Sequence, residues 1–131
     1  MKIRDLLERK LFKYRNVVTV GPNDTISTAV NSFVEQDMGS LPVCNDEDKL
    51  VGIITERDIV RKCAISDGCT NIKIQDVMSQ EVTTGSLEDD VDYAISIMKE
   101  RRIRHLPIVH NEVVVGMISM RDLLLLHLVS V

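Results

Sequence analysis

Apolar residues along this chain switch between strand-like runs and helix-like spacing, and the order of the switches occurs twice. Val17-Val18-Thr19-Val20 is a β-branched run halted by Gly21-Pro22-Asn23-Asp24, which predicts a short strand and a turn. Ile26, Ala29, Val30, Phe33 and Val34 then recur at the spacing of one helix face, with Asp24 or Thr25 as the cap and Gly39 as the stop. Leu41-Pro42-Val43-Cys44 and residues 50–54 read as the strands of a hairpin around the polar turn of residues 45–49. The helix that starts after Thr55 places Ile59, Val60, Cys63 and Ala64 on one face.

The same order returns further on. Val82-Thr83-Thr84 predicts a strand, residues 85–90 a turn, and Val91, Ala94, Ile95 and Met98 the buried stripe of a helix. Leu106-Pro107-Ile108-Val109, a turn at His110-Asn111-Glu112, residues 113–118 and a last helix complete the copy. Ala29 and Ala94, like Pro42 and Pro107, are 65 positions apart, while Gly52 and Gly116, like Asp58 and Asp122, are 64 apart, so one residue is lost in the hairpin turn. A register kept by such different residue types marks an internal repeat. The expected fold is therefore α/β (α+β): two pseudo-symmetric strand-helix-strand-strand-helix repeats, each a small sheet with two helices. They span residues 1–66 and 72–131, with a linker at 67–71. Ile3-Arg4-Asp5-Leu6-Leu7 and Ile74-Gln75-Asp76-Val77-Met78 are matching lead-ins, each expected as a short strand or turn. Only the first is followed by a basic stretch, residues 8–16 with Arg9, Lys10, Lys13 and Arg15, expected as a solvated helix or arm.

Composition narrows the class of function. A net charge of −4, no Trp and 3% aromatic residues argue against a nucleic-acid binder, which needs cations for phosphates and rings for bases. The longest apolar run, near the end of the chain, is too short to span a bilayer, and the first twenty residues lack a leader pattern; a cytoplasmic protein without membrane contact is expected. Cys44, Cys63 and Cys69 form no Cys-x-x-Cys pair, and are read as reduced core or loop thiols rather than a metal site or disulfide framework.

Candidate chemistry sits where each second strand runs into its helix. Gly52-Ile53-Ile54-Thr55-Glu56-Arg57-Asp58 and Gly116-Met117-Ile118-Ser119-Met120-Arg121-Asp122 share a glycine, a hydroxyl residue and Arg-Asp. A helix start exposes unpaired N–H groups and partial positive charge that can receive a phosphate, and a carboxylate one turn on can accept hydrogen bonds from a ribose. The same Ser/Thr-x-x-Asp spacing is close to a capping box, which satisfies a helix start with no ligand at all.

These residues resemble a known family. Leu41-Pro42-Val43 and Leu106-Pro107-Ile108, followed by Gly52-x-x-Thr55-x-x-Asp58 and Gly116-x-x-Ser119-x-x-Asp122, are similar to two cystathionine β-synthase (CBS) domains in tandem, a Bateman module. The resemblance covers nearly the whole chain, and a module with no catalytic domain attached is expected. It implies a regulatory module that binds AMP, ADP or ATP, or alternatively S-adenosylmethionine or NAD, in clefts between the repeats. It assigns ribose binding to Asp58 and Asp122 and phosphate contact to Thr55 and Ser119. It also implies pairing of two chains into a homodimer through the repeat helices, and a regulated protein partner. The adenine nucleotide would be a regulatory ligand, with no required cofactor. A protein-interaction or scaffolding module without a ligand is the alternative.

On that basis the first cleft is expected to use Thr55, Arg57 and Asp58, and the second Ser119, Arg121 and Asp122 with Arg104 and His105. Gly39 and Ser40, the uncharged counterparts of Arg104 and His105, are grouped with the second cleft, which is expected to hold a phosphorylated ligand more tightly. Lys99, Arg101 and Arg102 are read as solvated cations that complement the end of a helix. His127 is read as an interface or core residue, and the apolar run from Leu123 to Val129 as a surface covered by a partner or a deep core. No metal-ligand spacing and no phosphate-loop, dinucleotide or nucleophile-elbow motif is present, so no catalytic residue is assigned and no enzyme is expected.

Overall fold

The computed structural model describes residues 1–9 and 17–129, the last four as backbone only. Most of the basic stretch of residues 8–16, and the side chain of His127, lie outside the described residues. The chain forms two compact units, one of Val18–Val82 and one of Met1–Val17 with Thr83–Val131.

The first lead-in is a helix, α1 (Ile3–Leu7), rather than a strand. In the unit of residues 18–82, α2 (Ile26–Gln36) starts at Thr25, whose Oγ1 accepts from the Thr28 amide at 3.4 Å. It stops not at Gly39 but at Asp37, which takes the left-handed C-cap conformation with φ 51°. Asp tolerates that conformation better than most side chains, so no glycine is required there. Strands β1 (Ser40–Cys44) and β2 (Leu50–Thr55) form the expected antiparallel hairpin, with Ser40 opposite Thr55 and Val43 opposite Gly52. Every residue of β1 is buried. Helix α3 (Glu56–Cys63) follows β2 directly.

The strand expected at residues 17–20 reduces to one parallel bridge, Val20 to Val43. The turn closes immediately after Val20, where Asp24 Oδ2 accepts from the Gly21 amide at 2.7 Å. On the other edge Ile53 bridges Ser79, each amide bonded to the other's carbonyl at 2.9 Å. The second lead-in is a 3₁₀ turn, Ile74–Asp76, the turn of the two forms expected. It is tied down by Ile74 N–H to Asp24 O at 2.8 Å and Ile26 N–H to Ile72 O at 2.9 Å. Val20, Ile26, Ala29, Phe33, Leu41, Val43, Ile54, Ile59 and Ile74 make the core.

The expected apolar face of α3 is only partly inward, since Ile59 is buried but Val60 and Ala64 are exposed. Cys63 does not stay a free thiol. It is bonded to Cys69, which corrects the reading of reduced cysteines: a second 3₁₀ turn, Cys69–Asn71, folds back on the end of α3 and brings the two Cα atoms to 5.3 Å. That separation lies within the range a disulfide spans. Cys44 remains a buried free thiol whose pKa is pushed up mainly by burial.

In the other unit, β3 (Gly85–Ser86) pairs in parallel with β4 (His105–His110), which pairs antiparallel with β5 (Val113–Ser119). Here the expectation shifts by three residues, because the strand is Gly85-Ser86 and not residues 82–84. Gly85 is needed for close packing rather than a turn: a Cβ on it would lie 2.9 Å from Ile108 Cδ1. Helix α4 (Val91–Arg101) lies between β3 and β4 in sequence and ends at Arg102, again left-handed with φ 56°. Lys99, Arg101 and Arg102 are exposed at this terminus, as expected. Helix α5 (Met120–Val129) follows β5. Ile3, Leu6, Ala94, Met98, Leu106, Ile108, Ile118 and Leu123 form this unit's core.

The lead-ins are thus exchanged between the repeats. Ile3 and Leu6, from the start of the chain, are fully buried with the second repeat's strands, and Ile74 is fully buried with the first's. The first lead-in is held by Ile3 N–H to Asp89 O and Arg4 N–H to Leu87 O, both 2.9 Å, and by Lys2 and Arg4 against Glu88. The repeats of the sequence and the packing units of the structure therefore have different boundaries.

Candidate functional site

Each strand-to-helix junction is closed by a reciprocal pair of hydrogen bonds. Thr55 Oγ1 accepts from the Asp58 amide at 3.1 Å while Asp58 Oδ2 accepts from the Thr55 amide at 3.0 Å. Ser119 Oγ accepts from the Asp122 amide at 3.0 Å while Asp122 Oδ2 accepts from the Ser119 amide at 3.2 Å. Both are capping boxes with Asp in the third helical position. A further bond fixes each junction to its hairpin. The Glu56 amide donates to Gly39 O at 3.0 Å, and the Met120 amide to Arg104 O at 2.8 Å.

These bonds change the reading of the helix starts as open anion sites. At the first junction they engage the amides of Thr55, Glu56 and Asp58, so Arg57 carries the one early amide they do not engage; Arg121 has the same place at the second. Arg57 and Arg121 are exposed, with side chains able to reach a phosphate. Asp58 is half-buried and Asp122 buried at 8% exposure. Asp58 holds its cap through one oxygen, and a carboxylate carries two.

The structure brings Gly39 and Ser40 to the first junction. Ser40 is the cross-strand partner of Thr55, and cross-strand partners share a face. Ser40 is 6% exposed, and its Oγ has no hydrogen-bond partner among the described residues. Buried hydroxyls are normally satisfied, so an orphan beside a polar junction points to something else that completes it. Sequence reasoning reached Ser40 only as the uncharged counterpart of a histidine; its significance rests on burial.

His105 holds the equivalent place at the second junction, opposite Ser119. Burial lowers its pKa; the Asp122 carboxylate works the other way and Arg104 adds to the lowering. A lowered pKa leaves the ring mostly neutral near pH 7, so Arg104, exposed at the strand start, is the permanent cation of this junction. Glu56, a residue that sequence reasoning did not single out, lies over Gly39: a Cβ built on that glycine would sit 3.4 Å from the Glu56 carboxylate. Among the described residues no group of His, Cys, Asp and Glu is placed to hold a metal, and no helix is long and apolar enough to cross a membrane.

Comparison with known proteins gives this geometry a family. The chain matches the CBS domain over residues 3–65 and again over 74–128. It is 39% identical over 111 residues to an inosine-5'-monophosphate dehydrogenase of Methanocaldococcus jannaschii, covering 84% of this chain but only 21% of that enzyme. Among solved structures it resembles the CBS-domain containing protein ATU1752 of Agrobacterium tumefaciens (TM-score 0.83, 29% identity, 96% of this chain and 92% of that one). It also resembles the CBS domain pair of protein MJ0100, solved in complex with 5'-methylthioadenosine and S-adenosyl-L-methionine (TM-score 0.83, 25% identity, 100% of this chain and 98% of that one). With two matched copies of one domain and two capped junctions in register, the chain belongs to the CBS domain family, whose paired modules are regulatory ligand-binding domains.

Proposed function

We propose that this chain is a non-enzymatic, cytoplasmic sensor that binds adenosine-containing nucleotides, AMP, ADP or ATP, at its two strand-to-helix junctions and passes their presence to a protein partner. Asp58 and Asp122 accept hydrogen bonds from ribose hydroxyls, and Thr55, Ser119, Arg57 and Arg121 meet phosphate. The observation that carries this reading is the buried, unpartnered Ser40 Oγ facing the same side as Thr55, because the capping box accounts for the Thr55 hydroxyl and one Asp58 oxygen but leaves Ser40 unsatisfied. The complex of the MJ0100 domain pair with two adenosine derivatives supports the ligand class. Calorimetry with AMP, ADP, ATP and S-adenosylmethionine tests it. Micromolar binding of at least one nucleotide, on the order of −8 kcal/mol, is expected. Silence across all four would leave a ligand-free interaction module as the function.

The second junction is the tighter phosphate site in this reading, since Arg104 adds a charge-assisted contact worth about 1.5–3 kcal/mol that Gly39 lacks. Asp122→Ala should remove the stronger binding event and Asp58→Ala the weaker one. Homodimerisation belongs to the same proposal. Val34, Val60 and Leu124 are 77%, 66% and 60% exposed on their helices, and a second chain would cover such apolar residues. A monomer mass by light scattering at micromolar concentration would refute the dimer.

A further inference from the structure

We infer that Glu56 makes the first junction select against phosphate, so that it takes a neutral or cationic adenosine derivative while the second junction takes a phosphorylated one. The inference rests on the proposed adenosine-binding function, adds the ligand class of each junction, and at the first replaces the phosphate contact of Thr55 and Arg57 by one to an uncharged or cationic 5' substituent. The two junctions share backbone geometry: the first helical amide donates to the carbonyl of the residue before β1 in one and before β4 in the other, at 3.0 and 2.8 Å. Side chains at matched positions can therefore be compared directly. Where the second junction has Arg104, the first has Gly39; where the second has Met120, packed against its unit's core, the first has Glu56. The Arg-Asp pair that follows is common to both and cannot distinguish them. Two positions thus replace one positive and one neutral side chain with one neutral and one negative.

The placement of the negative charge is specific. The Glu56 carboxylate lies where a side chain from position 39 would begin, with Oε2 3.4 Å and Oε1 3.7 Å from a Cβ built there. Position 39 is adjacent to Ser40, whose buried Oγ is the junction's unsatisfied group. Consecutive Cα atoms are about 3.8 Å apart, so a ligand that completes Ser40 comes within about 10 Å of this carboxylate. A phosphate there is repelled by Glu56, whereas a thioether or sulfonium substituent at the ribose 5' position is tolerated or attracted. Ser40 supplies a hydrogen bond without charge, which suits the same ligands.

Amide chemical shifts of isotope-labelled protein read each junction separately and need no variant that disables a site. Methylthioadenosine, S-adenosylmethionine and AMP are titrated, following Ser40 and Thr55 for the first junction and His105 and Ser119 for the second. At the first junction AMP is expected to bind roughly ten-fold more weakly than methylthioadenosine, as one partly screened unit charge about 5–10 Å away would produce. At the second the order reverses. In Glu56→Gln, an exposed substitution that keeps the helix, the first junction's discrimination should fall to within about two-fold, and the double change Gly39→Arg with Glu56→Met should reverse it. Equal affinities for AMP and methylthioadenosine at Ser40 and Thr55 in the unaltered protein, or a preference that Glu56→Gln leaves unchanged, overturn the selector while adenosine binding stands. Absence of any response to all three compounds overturns both.

Discussion

Asp58 and Asp122 hold helix caps and are also assigned to ligand, and substituting them separates the two roles. In Asp58→Ala the Thr55 amide loses its acceptor and the first turn of α3 loses a carboxylate near its positive end, a loss of about 1–2 kcal/mol. Asp122→Ala should cost about 1 kcal/mol more, because Asp122 is 8% exposed and its loss leaves the Ser119 amide with little access to water. For a chain of 131 residues, an unfolding entropy of about 2.1 cal/mol/K per residue turns each kcal/mol into roughly 3–4 °C of melting temperature. The expected falls are therefore about 3–8 °C for Asp58→Ala and about 6–12 °C for Asp122→Ala, both without ligand. Asparagine keeps an oxygen that can cap but halves the acceptors offered to a ribose. Asp122→Asn should retain most of the melting temperature and lose most of the rise produced by AMP. Melts followed by circular dichroism, with and without millimolar AMP, decide the matter. An unchanged melting temperature in Asp58→Ala and Asp122→Ala would refute the capping argument, and a full AMP-induced rise in Asp122→Asn would refute the ribose role.

Gly52→Ala should cost about 1–3 kcal/mol and Gly116→Ala less: a methyl at 52 would lie 2.6 Å from Met78 Sδ and 2.9 Å from the Ser79 carbonyl, which the Ile53 bridge fixes, whereas one at 116 meets only the rotatable end of Leu7 at 2.9 Å. Urea midpoints showing Gly116→Ala as the costlier change would refute this. Because His105 has a lowered pKa in the folded chain, the unfolded chain takes up its proton first, so stability should fall as pH drops through and below about 6.5. His105→Asn should flatten that part of the pH profile, and an unchanged slope would count against the burial argument. The Cys63–Cys69 bond closes a short loop and should contribute roughly 2 kcal/mol, lost on adding dithiothreitol. Three titratable thiols in the unfolded, unreduced protein would show that the bond does not form.

Much of the fold was legible because repeated periodicity carries its own check: a helix stripe and a hairpin seen once are ambiguous, but the same order 65 residues on is not. What escaped was nonlocal. Nothing near Ile3 or Ile74 shows that each lead-in is buried with the other repeat's strands; of the strand or turn expected for both, residues 74–76 form a 3₁₀ turn, while residues 3–7 form a helix. Gly85 was misread because one letter serves both a turn and a close approach. Val34 and Val60 satisfy the apolar stripe yet face outward, since spacing tells which residues share a face and not what covers it.

The junctions divide in the same way between what a motif can say and what only packing can. Thr55, Asp58, Ser119 and Asp122 were identified by type and spacing, and the structure puts all four into caps whose geometry is nearly the same in both repeats. The hydrogen bonds of the caps match, so the clearest differences between the junctions lie elsewhere. The differences lie at neighbouring positions that no motif marks: Gly39 against Arg104, Ser40 against His105, Glu56 against Met120. Glu56 was invisible in the sequence because an acidic residue in a first helical turn is ordinary dipole chemistry. Its position over Gly39 gives it a second consequence, a negative charge at the place where the other repeat begins a cation. If the junctions bind as proposed, a chain that duplicates its capped junctions and varies the side chains at their edge has the parts to respond to two ligands of one class.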